Sequence, residues 1–184
     1  MNAITTGLQI LDGFLDAPLA YRAAALRREF KSYDFGHCVF HGIAVAGDSE
    51  LPHRIQALYP QLTPLLSFFR KSPAGQVEPH FIHSDVDMGD WSGILYLNPD
   101  PPEGDGTAFW THRATGAIES AIPHERSIEG RERENWILRE RVAARFNRLL
   151  LFPSTYFHSR AIHENWGAAD EARLTQVVFG KGVL

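Results

Sequence analysis

Hydrophobic and polar residues are patterned differently in the two parts of the chain. Residues 8–15 alternate loosely and read as an opening strand or turn. Asp16 can cap a helix, Pro18 is tolerated in a first turn, and LAYRAAALRREF is rich in helix formers, so a helix is expected over residues 17–30. PHRIQALYPQLTPLLSFFR suggests a second helical region, broken or kinked at Pro60 and Pro64. From Gln76 onward, short extended runs are separated by proline, glycine and acidic turns. These predict strands over residues 76–83, 92–97, 107–110, 145–152 and 173–179, with a helix over 131–144 inserted among them. Strands and helices do not alternate as a parallel open sheet requires. The pattern instead suggests a compact double-sheet roll or barrel with helices on one outer face.

A length of 184 residues is enough for one sizeable core and short for two, so a single domain over 1–184 is expected. Its first 75 or so residues would be a helical support for a β core over about 76–184. A net charge of -4, with basic residues interspersed among acidic ones, argues against nucleic acid as a partner. A small molecule or a peptide fits better. The lone cysteine, Cys38, excludes an intrachain disulfide framework and an all-cysteine metal site; it reads as a core residue in a reducing compartment. The N-terminal stretch lacks a signal-like basic flank, and no apolar run approaches the roughly 20 residues that span a bilayer, so no membrane contact and a cytoplasmic location are expected. The charged connection over 111–135 is either a solvated loop or a lid.

Candidate chemistry centres on FIHSDVDMGDW. In an extended chain His83 and Asp85 project from the same side, and an imidazole and a carboxylate so placed can share one cation. His158, which follows the apolar run LLLFPSTYF, is the best third ligand because a strand at the edge of a core would fix it firmly. Two histidines and a carboxylate leave three positions of an octahedral metal open. That suits Fe(II) with a bidentate 2-oxo acid and dioxygen, and it equally suits zinc with an activated water. An HxD triplet also occurs by chance. Asp87 competes for the carboxylate role, and His80 and His163 compete for the histidine roles. In ARLTQVVF, Arg173 shares one side of an expected strand with Thr175, Val177 and Phe179. An apolar strand holds an arginine at a cost unless an anion meets it, so Arg173 either grips a ligand carboxylate or forms a strand-end ion pair with an acid such as Glu171. Trp91, Trp110 and Trp166 are either pocket walls or ordinary core.

Taken in order, HSD at 83–85, ILYLN at 94–98, GTAFW at 106–110, LLLFPSTYFHS with His158, and ARLTQVVF with Arg173 resemble the Fe(II)- and 2-oxoglutarate-dependent dioxygenase superfamily. The likeness is to its prolyl-hydroxylase-like branch and small bacterial relatives, and it covers about residues 79–179. The resemblance implies a double-stranded β-helix core of the jelly-roll, cupin-like kind and an enzyme of the hydroxylase type. It implies Fe(II) held by His83, Asp85 and His158, and 2-oxoglutarate bound by Arg173 with help from Thr175 and Tyr96. Thr107 matches the threonine of a glycine-rich segment, with Gly104, Asp105 and Gly106 replacing a double glycine. The interval from His158 to Arg173 is longer than the family pattern, which keeps Arg160 as a reserve anion clamp. Because Asp85 is present, hydroxylation is favoured over halogenation. The competing readings are a cupin-like zinc or other divalent-metal hydrolase or isomerase without an oxo acid, and a non-catalytic binding domain with a degenerate site.

Overall fold

A computed structural model describes residues 7–34, 36, 39–47, 49–77, 82–120 and 132–184. Its elements, in chain order, are β1 (Gln9–Asp12), α1 (Pro18–Leu26), β2 (Lys31–Asp34), β3 (Val39–Val45), α2 (Glu50–Leu58), β4 (Thr63–Ser72), β5 (Trp91–Tyr96), β6 (Gly106–His112), β7 (Trp136–Ala143), β8 (Arg148–Pro153), β9 (His158–Arg160) and β10 (Arg173–Lys181). Single 3-10 turns precede β7 and β10. The large sheet runs β1-β8-β5-β10-β4-β3-β2 and the small one β7-β6-β9, with neighbours antiparallel throughout. This is the jelly-roll class expected from the sequence. No helix among the described residues is long and apolar enough to cross a membrane.

Alternation along β5 and β8 sorts the core into two layers, because successive side chains of a strand leave opposite faces. Trp91 and Leu95, with Leu149 and Leu151, face outward into a cluster with Leu174, Val178, Phe69 and the helix residues Ala25, Leu51 and Ile55. Tyr96, Leu150 and Phe152 face inward, where they meet Phe109 and Val142 of the small sheet. The helices therefore cover the outer face of the large sheet. The inner face is free to build a site.

Three expected elements are corrected. The second helical region ends at Leu58: Tyr59, which precedes Pro60, is in a non-helical conformation, as the proline ring requires of its neighbour. The remainder of that segment is β4, and Pro64 pairs with Gly180 at a bulge, one of the few places a strand accepts proline. Residues 136–143, expected as part of a helix, form β7, paired with β6 from Gly106–Ala143 to His112–Trp136. Burial of Trp136 and Val142 against neighbours outweighs the helix propensity of RER, and charged residues are at home on this edge strand. The strand expected over 76–83 is absent from its described residues save for an isolated bridge between His83 and His158, residues 78–81 lying outside the described set. Likewise, the first 75 residues supply four strands of the large sheet beside their two helices. Cys38 and His80 are outside the described residues, as are residues 121–131 of the candidate lid over 111–135.

Candidate metal centre

Backbone pairing brings the two halves of the candidate site together. The His83 N–H donates to the His158 carbonyl (3.0 Å) and the His158 N–H to the His83 carbonyl (2.8 Å), while the Asp85 N–H reaches the Ser154 carbonyl (2.8 Å). The segment carrying HSD is thus bound side by side to the end of β8 and the start of β9. Their side chains converge: His83 Nε2 is 3.4 Å from Asp85 Oδ1, and His158 Nε2 is 3.1 Å from Asp85 Oδ2. One ligand atom from each residue lies within 4.8 Å of the others.

These separations suit a common ion. Ligand atoms at roughly 2.1 Å from a metal lie about 3 Å from their neighbours when their bonds meet at right angles. The His158 Nδ1–H donates to the Tyr156 carbonyl (2.9 Å), which leaves the Nε2 lone pair facing Asp85. Ser92 Oγ donates to Asp85 Oδ2 (3.1 Å) and is 2.8 Å from Ser154 Oγ. Phe152 packs edge-on to the His158 ring, with centroids 4.7 Å apart. Burial pushes the Asp85 carboxyl upward, but His158 and His83 outweigh it and hold the group below the ordinary carboxylate range. Burial lowers the His158 imidazole, and the attraction of Asp85 reverses this to a net rise. Without a cation, a proton on His158 Nε2 is favoured by Asp85, and a metal would take the place of that proton.

The competing ligands stand apart. Asp87 is exposed in the turn after Asp85, His163 is exposed in the loop beyond β9, and neither belongs to the group. Arg160 is held by its own loop, through Asn165 and the His163 carbonyl (3.3 Å).

Farther along the inner face, Tyr96 and Thr175 are directly paired, and both are buried. The Tyr96 hydroxyl is 2.6 Å from Thr107 Oγ1, and burial pushes its pKa up to about 12, so it remains a neutral donor. Arg173 is buried beside them, but its ion pair is with Asp105 and not Glu171: Nε donates to both carboxylate oxygens, at 3.0 and 3.1 Å. Arg148, which pairs opposite Tyr96, is fully engaged by a two-pronged contact to Asp12 and a bond to the Ala143 carbonyl. Of the three tryptophans considered as pocket walls, Trp91 and Trp110 are core residues, while Trp166 donates to Asp105 Oδ2 (3.2 Å).

Sequence reasoning missed Ser92, Ser154 and Asp105. Ser92 carried a usable signal, a hydroxyl on the inward phase of an apolar strand; Ser154 had none, because its partner is 62 residues away.

Fold and side chains together define a jelly-roll protein with a two-histidine, one-carboxylate group at one end of its inter-sheet layer. The chain belongs to the family described as "Family of unknown function (DUF6445)", whose model matches residues 2–179. No curated protein matches the sequence. Among solved structures the fold is similar to that of the epimerase SnoN in complex with Fe3+, alpha ketoglutarate and nogalamycin RO, at 15% identity and TM-score 0.60 over 94% of this chain and 77% of that one. It is similar to HygX from Streptomyces hygroscopicus with nickel, 2-oxoglutarate and hygromycin B bound, at 15% identity and TM-score 0.57 over 95% and 82%. A prolyl hydroxylase from Trichoplax adhaerens, in complex with a hypoxia inducible factor peptide fragment, matches at 14% identity and TM-score 0.60 over 96% and 84%.

Proposed function

We propose that this protein is an Fe(II)- and 2-oxoglutarate-dependent oxygenase of the prolyl-hydroxylase-like kind, hydroxylating a small molecule or an amino-acid-like group. The observation that carries this reading is the convergence of His83, Asp85 and His158, with Asp85 buried between the imidazoles. The donor set suits Fe(II), because two nitrogens and one oxygen on one side leave three positions for co-substrate and dioxygen. Support comes from the order of groups along the inner face: Ser92, which holds Asp85, and Tyr96, which pairs with Thr175, are four residues or roughly 13 Å of strand apart. Arg173 lies beyond them with its terminal amino groups unused by Asp105. The similar folds that bind iron or nickel with 2-oxoglutarate point the same way.

In this reading Fe(II) and 2-oxoglutarate, when bound, would activate dioxygen, the oxidant, with one oxygen atom going to the substrate, the other to succinate, and carbon dioxide released. The chain's own residues hold and orient. Ser92 and the Tyr156 carbonyl fix the directions of Asp85 and His158, and the aromatic rings of Phe109 and Phe152 keep bulk water from His158. Arg173 and Tyr96 offer donors to the far carboxylate of the diacid.

A divalent-metal hydrolase or isomerase without an oxo acid is the second reading, and it draws on Asp105, which already neutralises Arg173. Anaerobic addition of 2-oxoglutarate to Fe(II)-loaded protein decides between them. A visible metal-to-ligand charge-transfer band, followed by succinate formation on admitting air, is expected; absence of both overturns the oxygenase reading.

A further inference from the structure

Asp105 occupies a turn whose flanking residues are Gly104 and Gly106, both at positive φ, and it is buried. Its carboxylate accepts from three donors: the Gly106 N–H (2.7 Å), Trp166 Nε1 (3.2 Å) and Arg173 Nε (3.0 and 3.1 Å). The backbone ties the same groups again, since the Arg173 N–H donates to the Trp166 carbonyl (3.2 Å) and the Ala144 N–H to the Asp105 carbonyl (2.9 Å). Side chains of Arg173 and Asp105 are 6% and 2% exposed, so the pair is largely screened from bulk solvent.

A buried guanidinium without a counter-ion would be costly, and a lone ligand carboxylate would have to meet that cost at each binding event. Here the cost is met before any ligand arrives. Asp105 engages Arg173 through Nε alone, and among the described residues none accepts from its Nη groups. The end-on face of the fork, which suits a carboxylate, is therefore left presented and rigid.

We infer that Asp105, oriented by Trp166, is a positioning residue that aims the Arg173 fork at the far carboxylate of a dicarboxylic 2-oxo acid, and so sets the preference for a diacid over a monoacid. This rests on the co-substrate reading above. Asp105 touches no ligand itself; it acts through Arg173.

The test compares 2-oxoglutarate with 2-oxopentanoate, which has the same chain length but a methyl group in place of the far carboxylate. Both are titrated anaerobically into Fe(II)-loaded protein by the charge-transfer band and by calorimetry. Wild type is expected to prefer the diacid. Asp105→Asn is expected to weaken 2-oxoglutarate about tenfold, the worth of a lost charge-assisted hydrogen bond, while 2-oxopentanoate changes by less than about twofold. Trp166→Phe, which keeps the ion pair but removes one orienting donor, should shift the same ratio by about two- to threefold and stands in if the asparagine variant does not fold. An unchanged ratio in either folded variant makes Asp105 merely structural and overturns the inference. Tighter 2-oxoglutarate binding in Asp105→Asn makes Asp105 a competitor of the ligand and overturns it too. Failure of wild type to bind 2-oxoglutarate at all overturns the co-substrate reading and this inference with it.

Discussion

Asp85 is held from three directions, and each support has its own measurable consequence. Ser92→Ala removes the hydroxyl that donates to Oδ2 and should lower metal affinity about 10–100-fold, read by competition with a chelator. His83→Ala, Asp85→Ala and His158→Ala should each abolish stoichiometric Fe(II) binding with little loss of fold, and pairing them should add little, because the three act as one unit. Tight metal binding in Asp85→Ala would refute the assignment of the carboxylate. The pH dependence follows from the same contacts. His158 is raised above its ordinary 6.5, so its share of stability in metal-free protein is complete below 6.5 and is lost as pH rises through the raised value. Asp85 is depressed below its ordinary 3.8, so its share is present above 3.8 and is lost only as pH falls through the folded value. Metal needs the neutral imidazole and the carboxylate, which reverses the His158 dependence. The gap in melting temperature between Zn(II)-loaded and chelator-treated protein should therefore widen as pH rises from about 6 to 8; a constant gap would refute the coupling.

At the scale of elements, the small sheet places its site residues through a close backbone approach. Gly106 opens β6 at φ +146, where a Cβ would lie 2.0 Å from the Val142 carbonyl oxygen and 2.8 Å from the Ala144 nitrogen. Gly106→Ala should destabilise the protein by about 1–3 kcal/mol, as overpacking does, and should also weaken 2-oxoglutarate binding because Asp105 is its neighbour. Chemical denaturation and the charge-transfer titration check the two effects separately. Of the strands read from sequence, those at β5, β6, β8 and β10 were legible because each has a bounded apolar run with β-branched or aromatic residues. β7 and β4 were not: WILRERVA and TPLLSFFRKS have mixed composition, and what makes them strands is partners 23 or more residues away in sequence, Trp110 for Leu138 and Arg173 for Ser72 among them. Local propensity cannot register such pairing.

The whole molecule separates support from chemistry by the two faces of one sheet. Trp91 is fully buried on the face covered by helices, while its neighbour Ser92 points inward to Asp85. Trp91→Ala should cost about 3–5 kcal/mol of stability yet leave metal affinity in the surviving folded protein nearly unchanged, the opposite of Ser92→Ala. Unfolding curves and chelator competition on the two variants test whether the layers are independent in this way. Equal loss of metal affinity in both would show that the outer core also sets the geometry of the site.

The sequence by itself determined the ligand candidates, since residue type and a two-residue spacing are local properties, and it placed Arg173, Thr175, Val177 and Phe179 on one side of their strand. The order of motifs was sufficient to suggest the jelly roll. Only the tertiary structure decided that His83 and His158 pair through their backbones, that Ser92 and Ser154 brace Asp85, and that Arg173 is bound by Asp105 and not by nearby Glu171. The physical reason is range: an ion pair or a bridge between residues 68 or 75 positions apart depends on how two sheets close on each other, and no pattern within one segment contains that information.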